Sequence, residues 1–197
     1  TGSQGALGFR KDIAKFIQER DGGHPAYPGN IFLTNGASTG IEIIMATLLG
    51  TEVDGIMIPI PQNPIYSALT AKLTGHQVGY YLDEGNNWAV SREELQQRLD
   101  EARADAIDVK ALAIINPGNP TGQVFCRDDL EVICKFCAEN GIVLLADEVY
   151  QRNVYNPDKQ FISAKKVAVE TAGCESLQLV SFHSTSKGTI GECGRRG

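Results

Sequence analysis

Apolar positions along the chain follow two periods, and the switches between them mark out the elements. In residues 5–21, Leu7, Ile13, Ala14, Phe16 and Ile17 fall on one helical stripe that stops at Gly22-Gly23. After a loop with Pro25 and Pro28, the run Ile31-Phe32-Leu33 predicts a short strand, and residues 41–49 an apolar helix. Strands follow at 55–60 and 78–82, separated by the breaker Pro61-Gln62-Asn63-Pro64 and a helix over 65–73. Ser91, with Glu94 at capping-box spacing, opens a helix toward residue 104. Residues 110–115, 142–146 and 177–182 predict buried strands, with helices over 128–140 and 164–171 between them. Alternating strands and helices without internal repeats call for an α/β domain with a mainly parallel sheet.

In such a sheet a ligand lies beyond the carboxyl ends of the strands, so the residues just past each strand carry the chemistry. After the first strand, Thr34-Asn35-Gly36-Ala37-Ser38-Thr39-Gly40 turns into a helix whose backbone N–H groups and Ser38 hydroxyl suit a phosphate. A simple N-cap by Ser38 or Thr39 explains the same residues. The loop Asn116-Pro117-Gly118-Asn119-Pro120-Thr121-Gly122 directs the Asn119 amide, or is an ordinary strand-to-helix turn. Asp147 follows a strand buried on both faces and needs a cation or several donors, unless it caps the next segment. Of the adjacent pair, Glu148 is the one expected to be solvated. Ser181-Phe182-His183-Ser184-Thr185-Ser186-Lys187-Gly188 sets an amine among small hydroxyls, with Arg195 and Arg196 further on. That amine can bond an aldehyde cofactor, or it is a solvated lysine in a polar loop. The Ser38 turn, Asn119, Asp147, Tyr150 and Lys187 all follow predicted strands and can converge on one crevice.

Composition narrows the partners. A chain of 197 residues with 42% hydrophobic and 21% charged residues can bury a large core. A formal charge of -6 without a basic stripe argues against nucleic acid, and no apolar run is long enough to cross a bilayer. Five irregularly placed cysteines suit a reducing compartment. Cys134 and Cys137 have CxxC spacing, but they lie inside a helical pattern with no second metal pair, so they read as two helix-face thiols rather than a metal or redox site.

Taken together, the motifs resemble those of the pyridoxal-phosphate aminotransferases of the aspartate aminotransferase fold. The resemblance runs over nearly the whole chain, through Leu33-Thr-Asn-Gly-Ala-Ser38, Ile58-Pro-Ile-Pro-Gln62, the Asn116 to Gly122 loop, Leu145-Ala-Asp-Glu-Val-Tyr150 and residues 181–194. Tyr80-Tyr-Leu-Asp-Glu84 and the Lys-Gly-x-x-Gly-Glu-Cys-Gly pattern beginning at Lys187 point to the alanine branch. The resemblance implies a three-layer fold, a mainly parallel sheet with helices on both faces, as in the large cofactor domain of fold-type I enzymes. It implies that Lys187 is the catalytic residue, binding the cofactor aldehyde covalently and then moving a proton between the substrate Cα and the cofactor C4′. Asp147 would pair with the pyridine nitrogen, and Tyr150 and Asn119 with the 3′ oxygen. Ala37, Ser38, Ser184, Ser186 and Arg196 would hold the phosphate, and no metal is implied. The reaction implied is exchange of an amino group between L-alanine and 2-oxoglutarate, giving pyruvate and L-glutamate. Other class I enzymes, either glutamate-using transaminases or aminocyclopropane-carboxylate synthase-like lyases, share most of these motifs, and an inactive remnant would retain them too.

Two departures from the family stand out. Where members usually place an aromatic against the pyridine ring, this chain has Asn63, whose amide offers no apolar face, and Tyr66, one turn on, is not expected to reach that spot. The sequence also ends at Gly197, which leads us to expect residues 1–197 to be part of the cofactor domain, without the C-terminal small domain. The strand at residue 31 would then lack its neighbour. A homodimer is expected of the full-length protein, acting on small amino and 2-oxo acids in the cytoplasm or, alternatively, in mitochondria.

Overall fold

The computed structural model describes residues 2–191. Five strands form one parallel sheet: β1 (Asp54–Ile60), β2 (His76–Tyr81), β3 (Asp108–Ile115), β4 (Val143–Asp147) and β5 (Leu179–Phe182), in the order β2-β1-β3-β4-β5. Six helices accompany them: α1 (Leu7–Arg20), α2 (Ala37–Leu48), α3 (Ile65–Lys72), α4 (Arg92–Ala104), α5 (Arg127–Asn140) and α6 (Ala164–Glu170). The chain leaves β1 toward β2 on one side and continues from β3 through β5 on the other. The crevice between the ends of β1 and β3 is therefore the switch point at which such sheets bind ligands.

Both faces of the sheet are covered. Met57, Leu112, Ile114, Leu144 and Ala146 pack against Leu95, Leu99, Leu130, Ile133 and Phe136 of α4 and α5, while Ile56, Ile58, Ala113, Ile115 and Leu145 meet Ile41, Met45 and Tyr66 of α2 and α3. Strand residues alternate between the two clusters, as the two-residue period requires. Such side chains contribute about 1.5–3 kcal/mol each on full burial, so this double-sided core holds the sheet without help from the loops at its ends. Cys134 and Cys137 belong to it as buried free thiols, and burial pushes Cys134 up to about 12, which leaves it an unreactive hydrophobe.

Three local expectations are corrected. Ile31-Phe32-Leu33 is extended but joins no ladder. Phe32 is 66% exposed, and the Leu33 N–H donates to the Gln4 carbonyl at 3.0 Å. An apolar run lacking a neighbouring strand has no partner for its backbone. Helix α2 begins at Ala37 rather than residue 41. Its N-cap is Gly36 at φ 87°, a conformation open to glycine, and neither Ser38 nor Thr39 caps it. Ser91 does cap α4, accepting from the Glu94 N–H, but Glu94 Oε1 turns away to the Tyr81 N–H and Arg98, so the reciprocal half of the capping box is absent.

Candidate active site

The register of the sheet aligns the strand ends. Ile115 pairs with Asp147, and Asp147 with Phe182, so the residues following β3, β4 and β5 emerge side by side. At the end of β3, Asn116 is locked inward. Its Oδ1 accepts from the Phe125 N–H at 3.1 Å and its amide donates to the Ile162 carbonyl, which holds the 116–122 loop in place. That loop delivers Asn119, whose amide donates to the Tyr150 hydroxyl at 3.1 Å. The pair spans the mouths of β3 and β4.

Asp147 is buried on the α2 and α3 side of the sheet. Its Oδ1 accepts from the Val149 N–H at 3.3 Å and its Oδ2 from the Tyr66 hydroxyl at 3.4 Å. Both bonds are long. A carboxylate offers about four acceptor positions, and these two long bonds occupy two of them. Burial drives its pKa up, and the Val149 N–H, the Tyr66 hydroxyl and the charge of Lys187 pull it partly back, to about 6. A carboxylate in this state would gain from a further cationic N–H donor.

Lys187 follows β5. Its ammonium sits 5.4 Å from the centroid of the Tyr150 ring, within cation–π range. The turn that carries it is closed by the Ile190 N–H on the Thr185 carbonyl and the Gly191 N–H on the Lys187 carbonyl. It packs so closely on the segment after Tyr150 that a Cβ at Gly188 would lie 2.6 Å from Asn153 Oδ1 and 2.8 Å from Arg152. Ser184 is buried, and its hydroxyl meets that of Ser186 at 2.5 Å while accepting from the Ser186 N–H. Helix α2 approaches the same strand end, because Gly40 is close enough to Phe182 that a Cβ there would lie 3.5 Å from the ring. Ala37 and Ser38 occupy the uncapped first turn of that helix.

Residues 1–194 match the family Aminotransferase class I and II. The chain belongs to that family. It is 54% identical over 196 residues to the mitochondrial alanine aminotransferase 1 of Arabidopsis thaliana, an alignment covering 99% of this chain and 36% of that protein. It is 49% identical over 197 residues to glutamate–glyoxylate aminotransferase 1 of the same plant, covering 99% of this chain and 41% of that one. Among solved structures, the alanine aminotransferase from Pyrococcus furiosus matches with a TM-score of 0.82 at 25% identity, over 95% of this chain and 44% of that one. The chain thus spans well under half the length of the curated relatives it matches.

In this chain, Asn119, Asp147, Tyr150, Ser184, Ser186 and Lys187 gather at one end of the sheet, with the first turn of α2 beside them. Arg196 lies outside the described residues. Two readings of side chains change. Glu148, expected in solvent, is 1% exposed: its Oε1 accepts from the Ala164 N–H at 2.8 Å, and Arg20 lies 3.6 Å from Oε2. Its placement follows from α6 packing against the loop after β4, a contact that local sequence does not encode. Tyr66 was absent from the predicted site, yet it touches Asp147. The available signal was chemical, since a tyrosine on the apolar face of a helix needs a partner for its hydroxyl. Asn63, at the position where the resemblance leads us to expect an aromatic, accepts the Ile65 N–H on its Oδ1 at 3.0 Å, a local turn bond just before α3. Among the described residues no cluster of His, Cys, Asp or Glu could hold a metal, and no helix is long and apolar enough to cross a membrane.

Proposed function

We propose that this chain is the cofactor-binding part, residues 1–197, of a longer pyridoxal-phosphate-dependent transaminase that exchanges an amino group between L-alanine and 2-oxoglutarate, giving pyruvate and L-glutamate. The observation that carries this reading is that adjacent strand ends bring the buried Asp147 within electrostatic reach of the Lys187 amine, which lies over the Tyr150 ring. The residues fit the cofactor. Asp147 supplies an anion for a ring N–H, Asn119 and Tyr150 supply donors for a ring oxygen, and Ser184, Ser186 and the first turn of α2 (Ala37, Ser38) offer donors to a phosphate. Arg196 is assigned there by resemblance alone. When bound, the cofactor supplies a covalent link to the amine and a sink for the electrons left when a Cα proton departs.

Lys187 then has two tasks: holding the cofactor through Nζ and, once displaced, moving a proton to and from the substrate Cα. Asp147 keeps the ring nitrogen protonated, and the Asn119–Tyr150 hydrogen bond fixes both side chains before any ligand arrives, which lowers the ordering cost of binding. A second reading, a glutamate–glyoxylate transaminase, is favoured by the relative at 49% identity. We further propose a homodimer working in a reducing compartment, cytoplasmic or mitochondrial, in keeping with the free thiols of Cys126, Cys134, Cys137 and Cys174.

The test uses the natural full-length protein, whose intact mass also shows how far it extends beyond these residues. Borohydride reduction in the presence of pyridoxal phosphate is expected to fix the cofactor to Lys187, located by peptide mass. A Lys187→Ala variant should retain none and lose activity by about 10²–10⁴-fold or more. Half-reactions with L-alanine, then with 2-oxoglutarate or glyoxylate as acceptor, separate the two substrate readings. Absence of any fixed cofactor on the wild-type protein refutes both.

A further inference from the structure

Tyr66 has none of the roles above, although its hydroxyl donates a hydrogen bond to Asp147 from outside the loop after β4. It reaches there from α3, the helix after β1, across the full width of β3. On that face β3 carries Ala111 and Ala113 before Ile115, and the two alanine methyl groups leave room for the ring over the strand; Ile58 and Leu145 pack in the same cluster. The ring is completely buried. Burial first, then the charge of Asp147, holds the phenol well above its usual pKa, so it remains a proton donor throughout the working range.

A donor that cannot ionise acts on a carboxylate in one direction. It bonds well to the anion and less well to the neutral acid, so it favours ionised Asp147. With the Val149 N–H on Oδ1 and the Tyr66 hydroxyl on Oδ2, each oxygen is held by one donor and the plane of the carboxyl group is set. Among the described residues, the other charged groups that bear on Asp147 are Lys187 and, on the far side of the strand end, Glu148. Tyr80 also acts electrostatically on Tyr66, but it gives its hydroxyl to the Ala113 carbonyl at 2.8 Å.

We propose that Tyr66 is a positioning residue of the cofactor site: its hydroxyl keeps the Asp147 carboxylate ionised and oriented toward the ring nitrogen of the cofactor, and so sets how tightly the cofactor is held near neutral pH. This rests on the role given to Asp147 above. Tyr66→Phe deletes the hydroxyl and keeps the ring, so the packing over β3 survives.

The experiment measures pyridoxal-phosphate dissociation by the visible absorption of the full-length protein, in wild type, Tyr66→Phe, Asp147→Asn and the double variant, from about pH 6 to pH 9. Tyr66→Phe is expected to weaken binding about tenfold near neutral pH, with the gap narrowing as pH rises and Asp147 ionises in both proteins. In the Asp147→Asn background the same substitution should change binding by less than about twofold, because there is no carboxylate left to act on. Equal dissociation in wild type and Tyr66→Phe overturns the proposal, as does a full-sized loss in the Asp147→Asn background, which would mean that Tyr66 acts through packing alone. If the wild-type protein binds no cofactor, the functional reading falls and this inference with it. Binding by the wild type with no effect of Tyr66→Phe removes only the inference.

Discussion

Two carboxylates, Asp147 and Glu148, leave the end of β4 toward opposite sides of the sheet, and their surroundings differ in kind. Asp147 meets two long hydrogen bonds and the charge of Lys187, and rests at about 6. Glu148 enters a charged cluster with Arg20, Asp21, Ser163 and Lys165 that ties α1 to the start of α6. Its Oε2 has no hydrogen-bond partner among the described residues, and burial pushes it up to about 7 against the pull of Arg20. Within the same cluster, Asp21 is equally hidden from water but takes two bonds from Arg20, one from Ser163 and one from Lys165. Burial alone would raise Asp21, yet these donors hold it below the ordinary carboxylate range. Burial pushes all three acids up, and the number and closeness of the donors set how much of that rise is cancelled. The structural cluster satisfies one acid fully, whereas the site side keeps accepting capacity unspent.

The comparison can be broken most strongly at Glu148. Its pKa lies above the unfolded value, so its favourable contribution is complete below about pH 4.5 and is lost as pH rises through about 7. Replacing it with glutamine removes that dependence. Denaturant unfolding of Glu148→Gln and wild type should give similar stabilities at about pH 5 and favour the variant by up to about 3 kcal/mol at about pH 8. A constant difference across that range would show that Glu148 does not titrate as argued.

Ser163 offers a smaller test of the satisfied acid. Its hydroxyl donates to Asp21 at 2.7 Å and accepts the Lys166 N–H at 3.0 Å, so Ser163→Ala removes a buried bond and the cap of α6 together. The expected cost is about 1–3 kcal/mol at neutral pH. Because Asp21 is held below its unfolded pKa, its contribution is present above about pH 3.8 and lost as pH falls through the folded value. The deficit of the variant should therefore shrink in acid, leaving the part due to the cap.

Smallest is Asn63→Tyr on the site side. A ring there should tighten pyridoxal phosphate by about 0.5–1.5 kcal/mol through stacking, while loss of the Asn63 hydrogen bond to the Ile65 N–H lowers the stability of the cofactor-free protein by about 1 kcal/mol. Equilibrium binding and denaturant unfolding read the two separately. Equal cofactor affinity in both proteins would show that Asn63 leaves no ring face uncovered.

The strands β1, β3, β4 and β5 were legible because each is a short apolar run bounded by prolines, glycines or a carboxylate, and β2 because its apolar run separates two helical patterns. The strand-end residues Asn119, Asp147, Tyr150 and Lys187 were legible because a parallel sheet puts all carboxyl ends at one edge. Local pattern failed wherever a distant element decided the outcome. Ile31-Phe32-Leu33 has the composition of a strand but no neighbour. Glu94 has the spacing of a capping box, but Tyr81 and Arg98 offered its carboxylate other donors.

Local periodicity and contiguous motifs were enough to order the five strands and six helices, apart from the unpaired run at 31–33, to place the chain in its family and to bring the polar strand-end residues to one edge of the sheet. Only the tertiary structure decided how charge is satisfied there. That Tyr66 reaches Asp147 and that Glu148 turns inward to α6 and Arg20 depend on contacts between residues 16 to 128 positions apart along the chain. No local pattern carries that information, because the cost of a buried charge is set by whatever the fold packs around it.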